Sequence, residues 1–273
     1  MEDKDYLSVR NRTVIKANEL IQRSRFSLSL QQQKIMLYLI SQVSPYDEEF
    51  KLYTFSITEF CKVCGIDEKS GKNYSTLKRA VKEIRDKSIW VKLPDGRETT
   101  LAWIEKINID PGSGTIAVRL DNDMKPFLLQ LKSNFTSYEL IWTLHFKSKY
   151  TIRLYELIKS IHFHELENYT KTYSLDELKG LLNAEKYRTY QDFKKRVLVP
   201  SIEEINTYSD KIVEYEVMKK GRAVDRIKFF IESRESIRTA EIRSKVEKEM
   251  GLPTGQVTFW NEYTARGYAA WRD

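Results

Sequence analysis

The sequence predicts an α+β protein built twice from the same parts: two tandem winged helix-turn-helix domains followed by a helical tail. Three observations lead there. The stretch from Glu185 to Glu232 changes its hydrophobic period midway, from three-and-four spacing to two. A basic tetrapeptide, Lys219-Lys220-Gly221-Arg222, sits where the second part must fold back on itself. A weaker copy of the same order precedes it, between Phe55 and Leu120.

Within the first of these stretches, Phe193, Val197, Leu198, Ser201, Ile202 and Ile205 line one apolar helix face. Thr189, Lys195, Arg196 and Glu203 fall on the opposite face. Ile212, Glu214, Glu216 and Met218 then alternate with Val213, Tyr215 and Val217. After the basic turn a second strand runs through Val224, Ile227, Phe229 and Ile231. A short helical segment, Ser174 to Leu182, comes just before. Helix, turn, basic helix and basic-tipped hairpin is the order in which one helix enters the DNA major groove and the tip reaches the backbone. Arg188, Thr189, Lys195 and Arg196 are therefore candidate DNA contacts of the helix, and Lys219, Lys220 and Arg222 of the tip.

Composition agrees. A chain of 273 residues is long enough for two domains, and 41% hydrophobic with 12% aromatic residues can fill their cores. The net charge of +7 favours a polyanion, either nucleic acid or an anionic membrane surface. No apolar run approaches the roughly 20 residues of a membrane span. The first residues, MEDKDYLSVRNRTVIK, are polar and mixed in charge, unlike a secretory signal. The two cysteines cannot build a disulfide scaffold. A cytoplasmic protein is expected.

In chain order, Met1 to Thr13 reads as a polar lead, and Val14 to Ile21 as a short strand or helix. A helix starts at Ser29 or Leu30, with Ile35, Met36, Leu39, Ile40 and Val43 on one side, and ends by Ser44-Pro45. Phe55 or Ser56 opens another, with Ile57, Phe60, Cys61 and Cys64 apolar, and Gly65 stops it. A loop from Asp67 to Asn73 leads to a third helix, Tyr74 to about Lys87, burying Leu77, Ala80, Val81 and Ile84. Ser75, Lys78, Arg79, Lys82 and Asp86 lie opposite, and the first four are candidate DNA contacts. Strands follow at Ile89–Leu93, Thr100–Ile109 and Thr115–Leu120, joined by turns at Pro94-Asp95-Gly96 and Pro111-Gly112-Ser113-Gly114.

Ile57–Phe60 matches Leu175–Leu178, and Tyr74–Arg79 matches Tyr190–Lys195, so each half supplies the same parts. The join is expected in Asp121–Phe135, through a short helix Met124–Leu131. This gives domains at 1–131 and 132–232 and a tail at 233–273. Lys147 to Phe163 is the long first helix of the second half. Ser236 to Met250 continues as a helix stopped by Gly251 and Pro253. The aromatics beyond it (Phe259, Trp260, Tyr263, Tyr268, Trp271) either dock a partner or fold back on the second domain.

Several segments carry a resemblance. They are Ser24–Leu28 with Gln31–Ile35, Phe135–Tyr138, Lys147-Ser148-Lys149-Tyr150 with Arg153–Leu157, Glu204–Asn206, and the basic hairpin. Together, from about Val14 to Glu232, they resemble initiators of the iteron-binding, theta-type plasmid replication family, above all its Gram-positive members. The resemblance implies two winged-helix domains and binding to repeated origin DNA. It implies recruitment of the host initiator and helicase, and a monomer that initiates. It further implies a dimer, joined through the N-terminal domain, that represses its own operator. The C-terminal domain would be the main iteron reader.

Other motifs have plainer readings. His162-Phe163-His164 has the form used by metal-dependent nicking enzymes with a tyrosine nucleophile, but it ends a helix, where residues two apart diverge by about 200°. Cys61-Lys62-Val63-Cys64 lacks a second pair or a nearby histidine and continues an apolar stripe, so buried free thiols are expected. Gly112-Ser113-Gly114 is too short for a phosphate loop. The expectation is a non-enzymatic, cofactor-free and metal-free initiator. The alternatives are a nicking initiator using His162 and His164, or a transcriptional repressor only.

Overall fold

The computed structural model describes residues 9–64, 71–93, 95–110, 112–161 and 168–250. Its elements in order are β1 (Thr13–Ala17), α1 (Asn18–Gln22), β2 (Ser24–Phe26), α2 (Leu30–Ile40), β3 (Tyr53–Ser56), α3 (Ile57–Cys64) and α4 (Gly71–Arg85). Then come β4 (Ser88–Lys92), β5 (Glu98–Ala102), β6 (Ile104–Asp110), β7 (Thr115–Leu120), α5 (Lys125–Leu128), β8 (Phe135–Glu139) and α6 (Ile141–Leu144). α7 (Lys149–Lys159), β9 (Asn168–Ser174) and α8 (Leu175–Leu181) lead to α9. α9 is a continuous helix, residues 190–208, made of Tyr190–Phe193, a π turn Lys194–Leu198, and Val199–Tyr208. β10 (Lys211–Lys220), β11 (Ala223–Ser233) and α10 (Ser236–Glu249) complete it.

Local chemistry starts the main helices. Ser29 and Gln32 form a reciprocal capping box ahead of α2, and Ser174 and Glu177 form one ahead of α8. Ser148 accepts the Tyr150 N–H at the head of α7, and Ser56 accepts the Glu59 N–H at the head of α3. The expected helices stand within a few residues of their predicted ends. The Val14–Ile21 segment turns out to be both alternatives, a strand followed by a helix.

The repeat is visible in the sheets. The first half forms a sheet of order β3-β7-β6, and the second a sheet of order β10-β11-β9. In each, the strand before the helix-turn-helix (β3 or β9) pairs with the returning strand of the hairpin (β7 or β11). The N-terminal wing is therefore β6–β7. The β4–β5 hairpin is an addition that pairs with β2. The single strand expected at Thr100–Ile109 is in fact two strands in two sheets. β5 pairs with β4 and β6 with β7, and the chain changes sheet at Trp103. That residue is 2% exposed and meets Phe26 edge-on at 5.0 Å between ring centres. Period-two alternation continues across such a corner, so the pattern could not show it.

In α7 every residue from Tyr150 to Ile158 is buried, Arg153 and Glu156 included. It packs against α1, α2, β8 and α9, so both halves close around it. The Arg153 guanidinium donates to the carbonyls of Ile21, Ser24 and Leu181 at 3.1–3.4 Å and stacks over Phe26. Glu156 accepts from Lys16 at 2.5 Å and from the Tyr138 hydroxyl at 2.6 Å, with Arg153 at 3.4 Å. β8 pairs with β1 along its whole length, so a ladder crosses the join expected between Leu131 and Lys132.

α10 folds back on α9. Arg243 bonds Glu139 and Asn11 and lies over the Trp142 ring, and Glu249 reaches His145 at 3.0 Å. The polar lead up to residue 8, the stops at Gly65, Gly251 and Pro253, His162-Phe163-His164 and the aromatic residues after 250 lie outside the described residues.

Candidate nucleic-acid interface

Two helix faces and one hairpin tip carry the expected contacts. In the second half, Phe193, Val197, Leu198, Ser201, Ile202 and Ile205 are buried beneath α9, which leaves its other face to solvent. Arg188, Thr189, Lys195 and Arg196 are all exposed there, and Lys194 joins them. Thr189 is also the helix cap. Its hydroxyl accepts the Asp192 N–H at 3.1 Å and donates to the Asp192 carboxylate at 2.8 Å. The Arg188 carbonyl accepts from the buried Lys179 ammonium at 3.1 Å, which pins the approach to the helix.

Pro200 lies inside α9. A proline ring clashes with the carbonyl four residues back and offers no N–H. The π turn resolves this, because the Val199 N–H reaches back five residues to the Lys194 carbonyl. The wider turn spans Lys194, Lys195 and Arg196, so the proline that loosens the helix sits beside its exposed cations. The sequence pattern alone reads as an uninterrupted helix.

The β10–β11 tip closes on Gly221 and Arg222, with Lys220 opposite Ala223 and Lys219 opposite Val224. Gly221 has φ +63°, the left-handed conformation that a tight two-residue hairpin loop demands. Lys219, Lys220 and Arg222 are exposed, as are Val217 and Met218 at 40% and 47%. Among the described residues, none of Arg188, Lys195, Arg196, Lys219, Lys220 and Arg222 forms an ion pair. A run of cations without counter-ions is the electrostatic footprint expected of a polyanion-binding surface.

The first half is organised alike but charged differently. Leu77, Ala80, Val81 and Ile84 of α4 are buried; Ser75, Arg79 and Lys82 are exposed and Lys78 half-buried. Arg79 already pairs with Glu83 at 3.7 Å. Lys82 borders a groove of about 470 Å³ between α4 and β6, shared with Arg85, Lys106, Asp86 and Glu105. The β6–β7 tip is acidic. Asp110 accepts from the Ser113 hydroxyl at 2.7 Å and the Gly112 N–H at 2.9 Å, and these bonds hold its carboxyl below the usual range.

The remaining motifs are structural. Cys61 and Cys64 are buried and outside any disulfide, as expected, and burial pushes the Cys64 thiol up to about 12. Among the described residues no group of three or more His, Cys, Asp or Glu side chains could hold a metal ion. No helix among them is long and apolar enough to cross a membrane.

Comparison with known proteins gives this architecture a family. A model described as "Initiator Replication protein, WH1" matches residues 13–159, and one described as "Initiator Rep protein, WH2" matches residues 174–231. A "Replication initiation protein" of Escherichia coli is 29% identical over 230 residues, which cover 80% of this chain and 69% of that protein. The "PI protein" of Escherichia coli is 31% identical over 150 residues, covering 48% of each chain. A solved structure, "Crystal structure of Pi initiator protein in complex with iteron DNA", shares the fold with a TM-score of 0.70 at 21% identity. It covers 83% of this chain and 99% of that one. Both relatives come from Escherichia coli, so the expected likeness to Gram-positive members gains no support. With two winged helices, a basic helix face exposed to solvent and two matching family models over most of its length, this chain belongs to the Rep3 family of replication initiator proteins.

Proposed function

We propose that this protein starts plasmid replication by binding repeated origin DNA as a sequence-specific reader without cleaving it. The observation that carries this reading is the cation surface of α9 and the β10–β11 tip, whose cations form no ion pair among the described residues. Lys195 and Arg196 lie on the helix that enters the major groove, Arg188 and Thr189 lie at its N-terminal end, and the tip cations face phosphate. Ser75, Lys78, Arg79 and Lys82 of α4 make the corresponding, weaker contact one turn away. The first half adds self-association, and the second half is the main reader. Bound copies bend and crowd the origin, recruit the host initiator and helicase, and as dimers repress the protein's own promoter. This takes place in the cytoplasm.

The test is footprinting on DNA flanking the coding region. One monomer with both helices engaged protects successive major grooves about 10 base pairs apart, roughly 20 base pairs in all. Protection confined to one groove removes the two-helix reading. Supercoiled origin DNA incubated with the protein and Mg²⁺ should stay closed circular; a nick would transfer the function to an enzyme.

A further inference from the structure

Two lysines from separate elements, Lys149 and Lys186, are brought together by the contacting rings of Tyr150 and Tyr187, and a third, Lys87, is close enough for its charge to act on Lys149. Lys87 follows α4, Lys149 opens α7, and Lys186 lies three residues before the cap of α9. Burial, and then the nearby charges of Lys186 and Lys87, hold the Lys149 ammonium below the usual lysine range. Two tyrosines order the cluster. The Lys149 ammonium lies 5.1 Å from the Tyr150 ring centre and the Lys186 ammonium 5.1 Å from that of Tyr187. The two rings meet edge-on at 6.1 Å. Lys87 is steered by the Gln32 side-chain oxygen at 2.7 Å.

This arrangement works against folding. Like charges repel, and a cation in the first turn of a helix opposes the helix dipole. Among the described residues none of the three lysines forms an ion pair. Glu185 beside Lys186 in sequence is exposed, and Gln32, which holds Lys87, donates its amide to Glu83 at 2.9 Å. Cations held together at such a cost are stabilised by an anion from outside. The place of the cluster says which anion. It joins the C-terminal end of the first half's groove-facing helix to the loop that leads into the second half's, so it lies between the two helices that would flank one duplex.

We propose that Lys87, Lys149 and Lys186 form a phosphate clamp that grips the DNA backbone between the two half-sites and fixes the spacing of the two winged helices. This rests on the reading of the protein as a two-groove origin binder. The clamp holds the backbone and reads no bases, so it sets register rather than sequence.

The experiment is ethylation interference on the repeat duplex, with a salt series, using the full chain and its Lys149→Ala, Lys186→Ala and Lys149→Arg variants. Lys149→Ala and Lys186→Ala should each lose interference at the phosphates between the two protected grooves and lower the salt slope by about one. Groove protection should persist, and Lys149→Arg should keep the wild-type pattern. Lys186 is exposed, so its variant carries the test even where Lys149→Ala fails to fold. Unchanged central interference and slope in Lys186→Ala, with two-groove protection intact, overturns the clamp alone. A wild-type protein that protects no pair of grooves overturns the clamp and the function it rests on together.

Discussion

Glu156→Gln should destabilise the protein by about 3–5 kcal/mol, because it leaves buried cations without their anion. The carboxyl is 1% exposed and receives Lys16, Tyr138 and Arg153. Burial alone would push it up, but Lys16 and Arg153 together outweigh that and hold it below the usual range. Glutamine keeps the shape and hydrogen-bonding oxygen but removes the charge. Arg153 retains its three carbonyl partners; among the described residues the Lys16 ammonium has none besides Glu156. Lys16 then escapes by losing its proton. From its ordinary value of 10.5, that costs about 5 kcal/mol at pH 7, at 1.36 kcal/mol per pH unit. This neutralisation caps the penalty. It also makes the variant recover as pH rises, since its unfolded state holds the proton up to 10.5 and its folded state does not. Between pH 7 and 9 the variant should regain up to about 2.7 kcal/mol relative to wild type. The assay is urea unfolding at both pH values. Asp47→Asn serves as control, because Lys51 there is 69% exposed and such pairs contribute about 0–1 kcal/mol. A Glu156→Gln variant within about 1 kcal/mol of wild type and parallel to it in pH refutes the reasoning.

Three further outcomes are expected. Arg196→Ala should weaken binding to the repeat far more than to scrambled duplex, by about 1–3 kcal/mol of discrimination, whereas Lys220→Ala or Arg222→Ala should weaken both alike and lower the salt slope by about one; equal losses for Arg196→Ala remove it from base reading. Trp90, 53% exposed on β4, should be part of the self-association surface, so Trp90→Glu should shift the protein toward monomer in sedimentation, and an unchanged distribution moves the contact elsewhere. Acid should unfold the protein through its paired carboxyls: burial raises Glu156 and Asp210, but their lysines outweigh it and lower both. Their stabilisation is full above about 4.5 and 3.8 and is lost as pH falls through the lowered values. Titration of unfolding from pH 6 to 3 reads it, and flat stability over that range would show the pairs to be unimportant.

The parts of the fold that could be read from sequence are those whose causes are local. Ser29 with Gln32, and Ser174 with Glu177, announce helix starts through groups three residues apart. Gly221 between Lys220 and Arg222 announces the wing. What could not be read depends on distant partners. β9 has the sequence NYTKTYS and shows no strong strand pattern; it exists because β11, more than fifty residues on, offers it a ladder. β8 depends on β1 in the same way. Arg153 and Glu156 look like the solvent side of an amphipathic helix until the two halves close around them. The exposed cations of α9 and α4 were legible because they lie opposite a clear apolar stripe. The Lys87–Lys149–Lys186 cluster was not, since nothing in the spacing 87, 149, 186 brings those residues together.

The two wings argue that the halves divide the work. If both gripped DNA alike, both tips would carry cations. The β10–β11 tip does, with Lys219, Lys220 and Arg222 in no ion pair among the described residues. The β6–β7 tip instead presents Asp110, whose carboxyl the Ser113 and Gly112 bonds keep ionised. An anion there repels phosphate over a distance on the order of the Debye length, about 8–10 Å. The first half therefore gains little by laying its wing on the backbone. The DNA contact proposed for it is α4, where Arg79 is already engaged by Glu83 and the groove sets Lys82, Arg85 and Lys106 against Asp86 and Glu105. The neighbouring β2-β4-β5 sheet has no counterpart among the described residues of the second half, and it exposes Trp90. A unit with a weakened DNA face and an added sheet is suited to a protein contact. That is the physical basis for proposing that the second half does most of the sequence reading and the first half the self-association.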